Sequence, residues 1–184
     1  MTSNGEEHPP TKPMTHREVE TLFTSLAYEA GLSLFRAYDV SLKPADVENY
    51  RRNPDLTLVS VIGFAGRELS GSLVLGATNE PLERSKPNAA SERDWIAELA
   101  NQLLGRIKNK VMRCGIEFYA MPPAVVSGHH LAPVLSRPDF HPWVFATPNG
   151  VVCLWIELFG APEVMPDDKL MTAAIPEEGD VLLF

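Results

Sequence analysis

The sequence predicts an α+β fold: two long amphipathic helices packed on a mainly antiparallel sheet. Two stretches, 16–38 and 91–115, repeat apolar residues at helical spacing behind capping signals. Two pairs of short apolar runs, 56–65 with 69–75 and 143–147 with 151–159, are joined by turn residues and read as hairpins. The order helix, hairpin, long helix, strand, hairpin places the helices on one face of the sheet.

Thr15 followed by Glu18 is a capping box. Behind it, Val19, Leu22, Phe23, Leu26, Ala30, Leu34 and Tyr38 make one apolar face. Residues 39–55 form a polar connection with Pro44, Pro54 and the solvated pair Arg51-Arg52. The first hairpin turns at Gly66-Arg67-Glu68. Residues 77–90, with Pro81 and Pro87, read as a loop holding one helical turn around Leu82. Residues 116–121 are expected to form a strand, interrupted by Pro122-Pro123, with 124–128 extended again. A proline-broken segment follows to Pro142. Asn149-Gly150 is the strongest hairpin signal in the chain, and Trp143 and Trp155 are expected to pack across that hairpin. The expected organisation is a disordered tail over 1–13, one domain over 14–160 and a C-terminal extension over 161–184. The extension is acidic and proline-containing apart from Val181-Leu182-Leu183-Phe184.

A chain of 184 residues is long enough for one domain with a real core. Its net charge of −8 and lack of a basic cluster argue against a nucleic-acid partner. No apolar run reaches the roughly 18 residues of a membrane span, and no signal-peptide pattern opens the chain. Cys114 and Cys153 have no metal-site spacing. A cytoplasmic protein without membrane or nucleic-acid partners is therefore expected.

The long helix organises the rest. Ser91 is its N-cap and Gly115 its stop, with acidic residues in the first turn and basic residues in the last. On a wheel, Ile96, Leu99, Ala100, Leu103, Leu104, Ile107 and Val111 form the apolar stripe. Opposite lie Asp94, Glu98, Asn101, Gly105 and Lys108. Glu98 and Asn101 are three apart and share a face. Glu98 has no basic residue at helix-neighbour spacing. Gly105 costs about 1 kcal/mol relative to alanine there, and it leaves room for another surface to approach. Taken alone, such a face also fits an ordinary solvated surface.

Other chemistries find little support. His129, His130 and His141 have no carboxylate or cysteine at ligand spacing. Ser127 lies in VVSGHH, which is not a nucleophile elbow. Gly63, Gly66, Gly71 and Gly76 match no phosphate-binding loop and read as strand ends and turns.

Glu98-x-x-Asn101-x-x-x-Gly105, followed after Gly115 by Pro-Pro-x-Val-Val-Ser-Gly at 122–128, resembles the CheX-type chemotaxis phosphatases of the CheC, CheX and FliY group. The preceding IGFAGRELSGSLVLG is similar to the family's glycine-bearing strand pair. The likeness spans about 56–159. It implies a phosphatase that removes the phosphoryl group from the aspartate of a CheY-like receiver domain. Glu98 would then pair with the receiver's lysine, and Asn101 would orient the attacking water. Asp94, Gly105 and Lys108 would belong to the partner-binding face. The Mg²⁺ would be supplied by the receiver, so no cofactor of the chain's own is expected. A homodimer joined through sheet edges is also expected, since a sheet of about five strands has edges to protect. The rival is a non-catalytic receiver-binding or flagellar-switch-like module on the same fold. The family is expected to carry a helix between the second strand and the catalytic helix, for which 79–90 looks too short and proline-rich. The extension from Gly160 has no counterpart in the family pattern.

Overall fold

The computed structural model describes residues 14–46, 56–67, 69–131 and 142–160. The expected tail, Arg51-Arg52, His141 and the C-terminal extension lie outside the described residues.

Helix α1 spans His16–Ala37. Thr15 caps it with the full box: its hydroxyl accepts from the Glu18 backbone N–H, and the Glu18 carboxylate accepts from the Thr15 N–H at 2.7 Å. Helix α2 spans Asn79–Ser85 and helix α3 spans Glu92–Val111. The strands are β1 (Lys43–Pro44), β2 (Leu56–Ala65), β3 (Ser70–Ala77), β4 (Tyr119–Ala120), β5 (Ala124–Leu131), β6 (Trp143–Thr147) and β7 (Gly150–Gly160).

They form one sheet in the order β1-β6-β7-β3-β2-β4, with β5 also on β2, and every pairing is antiparallel. This is the expected α+β architecture, with more strands than the hydrophobic runs suggest. Helices α1 and α3 pack against each other and onto one face of the sheet. Leu58, Ile62 and Phe64 of β2 point into that layer, as do Leu73 and Leu75 of β3 and Leu154 and Ile156 of β7. The opposite face carries a second buried cluster of Leu56, Val74, Val144, Cys153 and Trp155. Strand β3 sits between β2 and β7, and most of its residues are buried on both faces.

Four local expectations are corrected. The region 79–90 contains a real two-turn helix. Pro81 is its third residue, where a backbone N–H has no intrahelical partner to lose. The strand expected over 116–121 shrinks to Tyr119–Ala120. Ile116 and Phe118 turn into the core instead, and the Phe118 ring lies 4.8 Å from that of Phe64. In the last hairpin Thr147 faces Gly150, so the two-residue loop is Pro148-Asn149. Neither Asn149 nor Gly150 has positive φ, so the Asn-Gly turn conformation is not used. Glycine is needed at 150 for another reason: a Cβ there would collide with the Thr78 hydroxyl and the Pro81 ring. Finally, Trp143 and Trp155 lie on opposite faces. Trp143 pairs with Leu154 and packs on Tyr28 of α1 at 4.7 Å, whereas Trp155 belongs to the second cluster.

Candidate functional site

Helix α3 is fixed along its length before any polar group is considered. Ile96, Leu99, Ala100, Leu103, Leu104, Ile107 and Val111 are all buried against the sheet and α1. Its first turn is tied down on two sides. The Trp95 indole N–H donates to the Ser85 hydroxyl of α2 at 2.9 Å, and the Arg93 guanidinium donates to the Val125 carbonyl of β5 at 2.8 Å. Nearer the other end, Arg106 donates to the Ser33 hydroxyl of α1 at 3.0 Å, and Lys110 pairs with Glu29 at 3.1 Å. A short 3₁₀ turn, Met112–Cys114, then leads to Gly115, which takes the left-handed conformation (φ 74°) that stops the helix. Burial pushes the Cys114 thiol above its ordinary pKa, which suits a packed sulfur rather than a nucleophile.

The opposite side of α3 carries every residue predicted for the site. Glu98 and Asn101 are exposed, one helical turn apart on a rigid scaffold. The Asn101 side chain has no hydrogen bond among the described residues, so both ends of its carboxamide are open. One Glu98 oxygen, Oε1, accepts from the Gln102 side-chain N–H at 2.9 Å. That donor is neutral, so it places no positive charge beside the carboxylate. Gly105 stands clear on the same side: a Cβ built there meets no heavy atom within 4 Å.

The ends of the face are less free. Asp94 is exposed but serves the cap, with its backbone N–H donating to Ser91 Oγ at 3.1 Å and its Oδ2 accepting from that hydroxyl at 2.7 Å. Lys108 is half-buried and its ammonium lies 5.7 Å from the Tyr119 ring, within cation–π range. Tyr119 itself is 78% exposed, with Met121 and Val126 also exposed nearby in the chain. Arg93, Tyr119 and the Gln102 contact are not among the residues that the sequence alone marks out. The Gln102 contact was visible as an i, i+4 spacing to Glu98; the other two depend on tertiary neighbours. No cluster of three or more histidine, cysteine or acidic side chains suited to a metal occurs among the described residues.

This arrangement defines a class: a helix pair on one face of an antiparallel sheet, presenting an exposed Glu-x-x-Asn face. Comparison with solved structures identifies the fold as CheC/CheX-like. A CheC-like superfamily protein from Shewanella sp. PV-4 superposes with a TM-score of 0.61 at 23% identity, covering 76% of this chain and 98% of that one. The chemotaxis protein CheX from Vibrio vulnificus gives 0.60 at 18% identity, covering 74% and 98%. CheX in the CheX–CheY–BeF3–Mg²⁺ complex from Borrelia burgdorferi gives 0.54 at 15% identity, covering 73% and 96%. No family model matches the chain, and no curated protein matches it. The resemblance read from the sequence is thus borne out at the level of the fold.

Proposed function

We propose that the exposed face of α3 docks on the active site of a phosphorylated CheY-like receiver domain and accelerates hydrolysis of its aspartyl phosphate. The observation that carries this reading is the unengaged Asn101 carboxamide beside the charged Glu98 on a rigid, convex helix face. A convex face suits a partner that brings its own reaction centre. The CheX–CheY complex among the similar folds supports a receiver as that partner.

In the reaction, water attacks phosphorus in line with the bond to the receiver's aspartate. The P–O bond breaks, the aspartate leaves as carboxylate, and both of the water's protons end on inorganic phosphate. Asn101 can accept from the water and donate to a phosphoryl oxygen, which holds the nucleophile in line. The Glu98 carboxylate can pair with a lysine on the receiver and fix the docking geometry. Charge on the phosphoryl oxygens is neutralised by a divalent cation held by the receiver. The described residues of this chain offer no ligand cluster to hold it.

The test is phosphate release from acetyl-phosphate-loaded receivers, with wild type, Asn101→Ala and Glu98→Ala. Asn101→Ala is expected to bind the receiver but lose nearly all acceleration. Glu98→Ala is expected to lose activity with a larger share of the loss in binding. Equal phosphate release with wild type and Asn101→Ala, when both bind, would make the protein a binding module and not an enzyme.

A further inference from the structure

Gln102 stands beside Asn101 and is a second carboxamide on this side of the helix. It differs in being engaged at both ends. Its Nε2 donates to Glu98 Oε1 at 2.9 Å, and its Oε1 accepts from the Tyr38 hydroxyl at 2.9 Å. The direction of each bond follows from chemistry. A carboxylate only accepts, so the amide N–H must face Glu98, which leaves the amide oxygen for the tyrosine O–H.

Tyr38 is itself anchored. It is the C-cap residue of α1, and its ring meets Trp95 edge-on at 5.0 Å and 87°. Trp95 is only 6% exposed and donates to Ser85, whose hydroxyl reaches the Pro81 carbonyl at 2.8 Å. A continuous set of contacts therefore runs from α2 through Trp95, Tyr38 and Gln102 to an exposed carboxylate. An exposed glutamate otherwise samples many rotamers, and a partner must order it on binding.

We propose that Tyr38 and Gln102 are positioning residues that hold Glu98 in its docking rotamer before a partner arrives. A lysine or arginine in place of Gln102 would also orient the carboxylate, but it would neutralise the charge a cationic partner needs. The neutral amide orients without competing. It takes Oε1 alone, and Oε2 has no partner among the described residues. The same engagement removes Gln102 from contention for the water and leaves Asn101 as the carboxamide able to hold it.

The functional half of this inference rests on the reading above, so the experiment needs a readout that does not. In the full-length protein, the side-chain carboxamide resonances of Gln102 are followed by ¹H–¹⁵N NMR. They are expected to shift in both Tyr38→Phe and Glu98→Ala, each of which leaves the helix intact. Tyr38→Phe keeps the ring on Trp95 and removes only the donor. It is expected to raise KM for the phosphorylated receiver about three- to tenfold with kcat nearly unchanged. In a Glu98→Ala background the same change is expected to have no further effect. Unmoved Gln102 resonances in Tyr38→Phe, or an undiminished Tyr38→Phe effect without Glu98, would overturn the proposal. Shifted resonances together with no acceleration of receiver dephosphorylation by the wild type would support the positioning of Glu98 and sink the phosphatase reading instead.

Discussion

Gly105→Ala separates the stability of α3 from the use of its face. A glycine inside a helix costs roughly 0.8–1.0 kcal/mol relative to alanine, through backbone entropy alone. Replacement normally risks a clash, but a Cβ at 105 has no heavy atom within 4 Å. The full propensity gain of about 1 kcal/mol should therefore appear. For a domain of this size that corresponds to a Tm about 2–4 °C higher. The added methyl also projects from the face that carries Glu98 and Asn101, where a docking surface must come close. Receiver affinity should fall while stability rises, a combination that a merely tolerated glycine would not produce. The assays are thermal or urea unfolding followed by circular dichroism, and titration of a phosphorylated receiver. A lower Tm would refute the claim that the site is open in the free protein. Equal receiver affinity for both proteins would refute the claim that a surface approaches closely at Gly105.

Leu103 is fully buried, so Leu103→Ala should destabilise by about 2–5 kcal/mol in urea unfolding; a loss under about 1 kcal/mol would mean the α3 stripe is not packed as described. The Ser60 hydroxyl is fully buried without a hydrogen-bond partner among the described residues, and leaving a hydroxyl in that state costs about 1–3 kcal/mol. Ser60→Ala should therefore raise stability by about 1 kcal/mol or more, and a destabilised variant would reveal a partner for the hydroxyl. At the α2–α3 junction the neighbouring Glu92 and Lys86 side chains hold the Glu83 pKa down, and the Glu83 carboxylate and burial push that of Glu92 up. A raised Glu92 pKa gives stability at acid pH that is lost as pH rises through the folded value, while a lowered Glu83 pKa gives stability lost as pH falls through its folded value. The pair therefore contributes most in the mildly acidic window between the two. Glu92→Gln does not titrate, so its stability relative to wild type should improve from about pH 4.5 to pH 7, and a difference constant with pH would count against a raised Glu92 pKa.

Much of the candidate site was legible because it is local. Ser91, the apolar stripe and Gly115 define α3 by spacing and chain-end chemistry, and a helix wheel places Glu98, Asn101 and Gly105 on one side. Burial of one stripe leaves the opposite side exposed whatever the helix packs on. The β2–β3 hairpin was readable for the same reason, since its two apolar runs and the short polar turn between them are adjacent in the chain.

What the tertiary structure alone decided depends on residues distant in the chain. The amide of Gln102 is engaged because Tyr38, 64 positions away, ends α1 beside it. The stretch 116–121 carries a strand-like composition, yet Phe118 is buried against the Phe64 ring and only Tyr119–Ala120 joins the ladder. Pro81 suggests a break to any local reading, but its place as the third residue of α2, in the first turn, makes it harmless. Gly150 looks like a turn residue, and its requirement comes from the close approach of Thr78 and Pro81. Spacing along the chain sets which face a side chain joins. Which distant group meets it there is set by how helices and sheet pack, and that is a property of the whole chain.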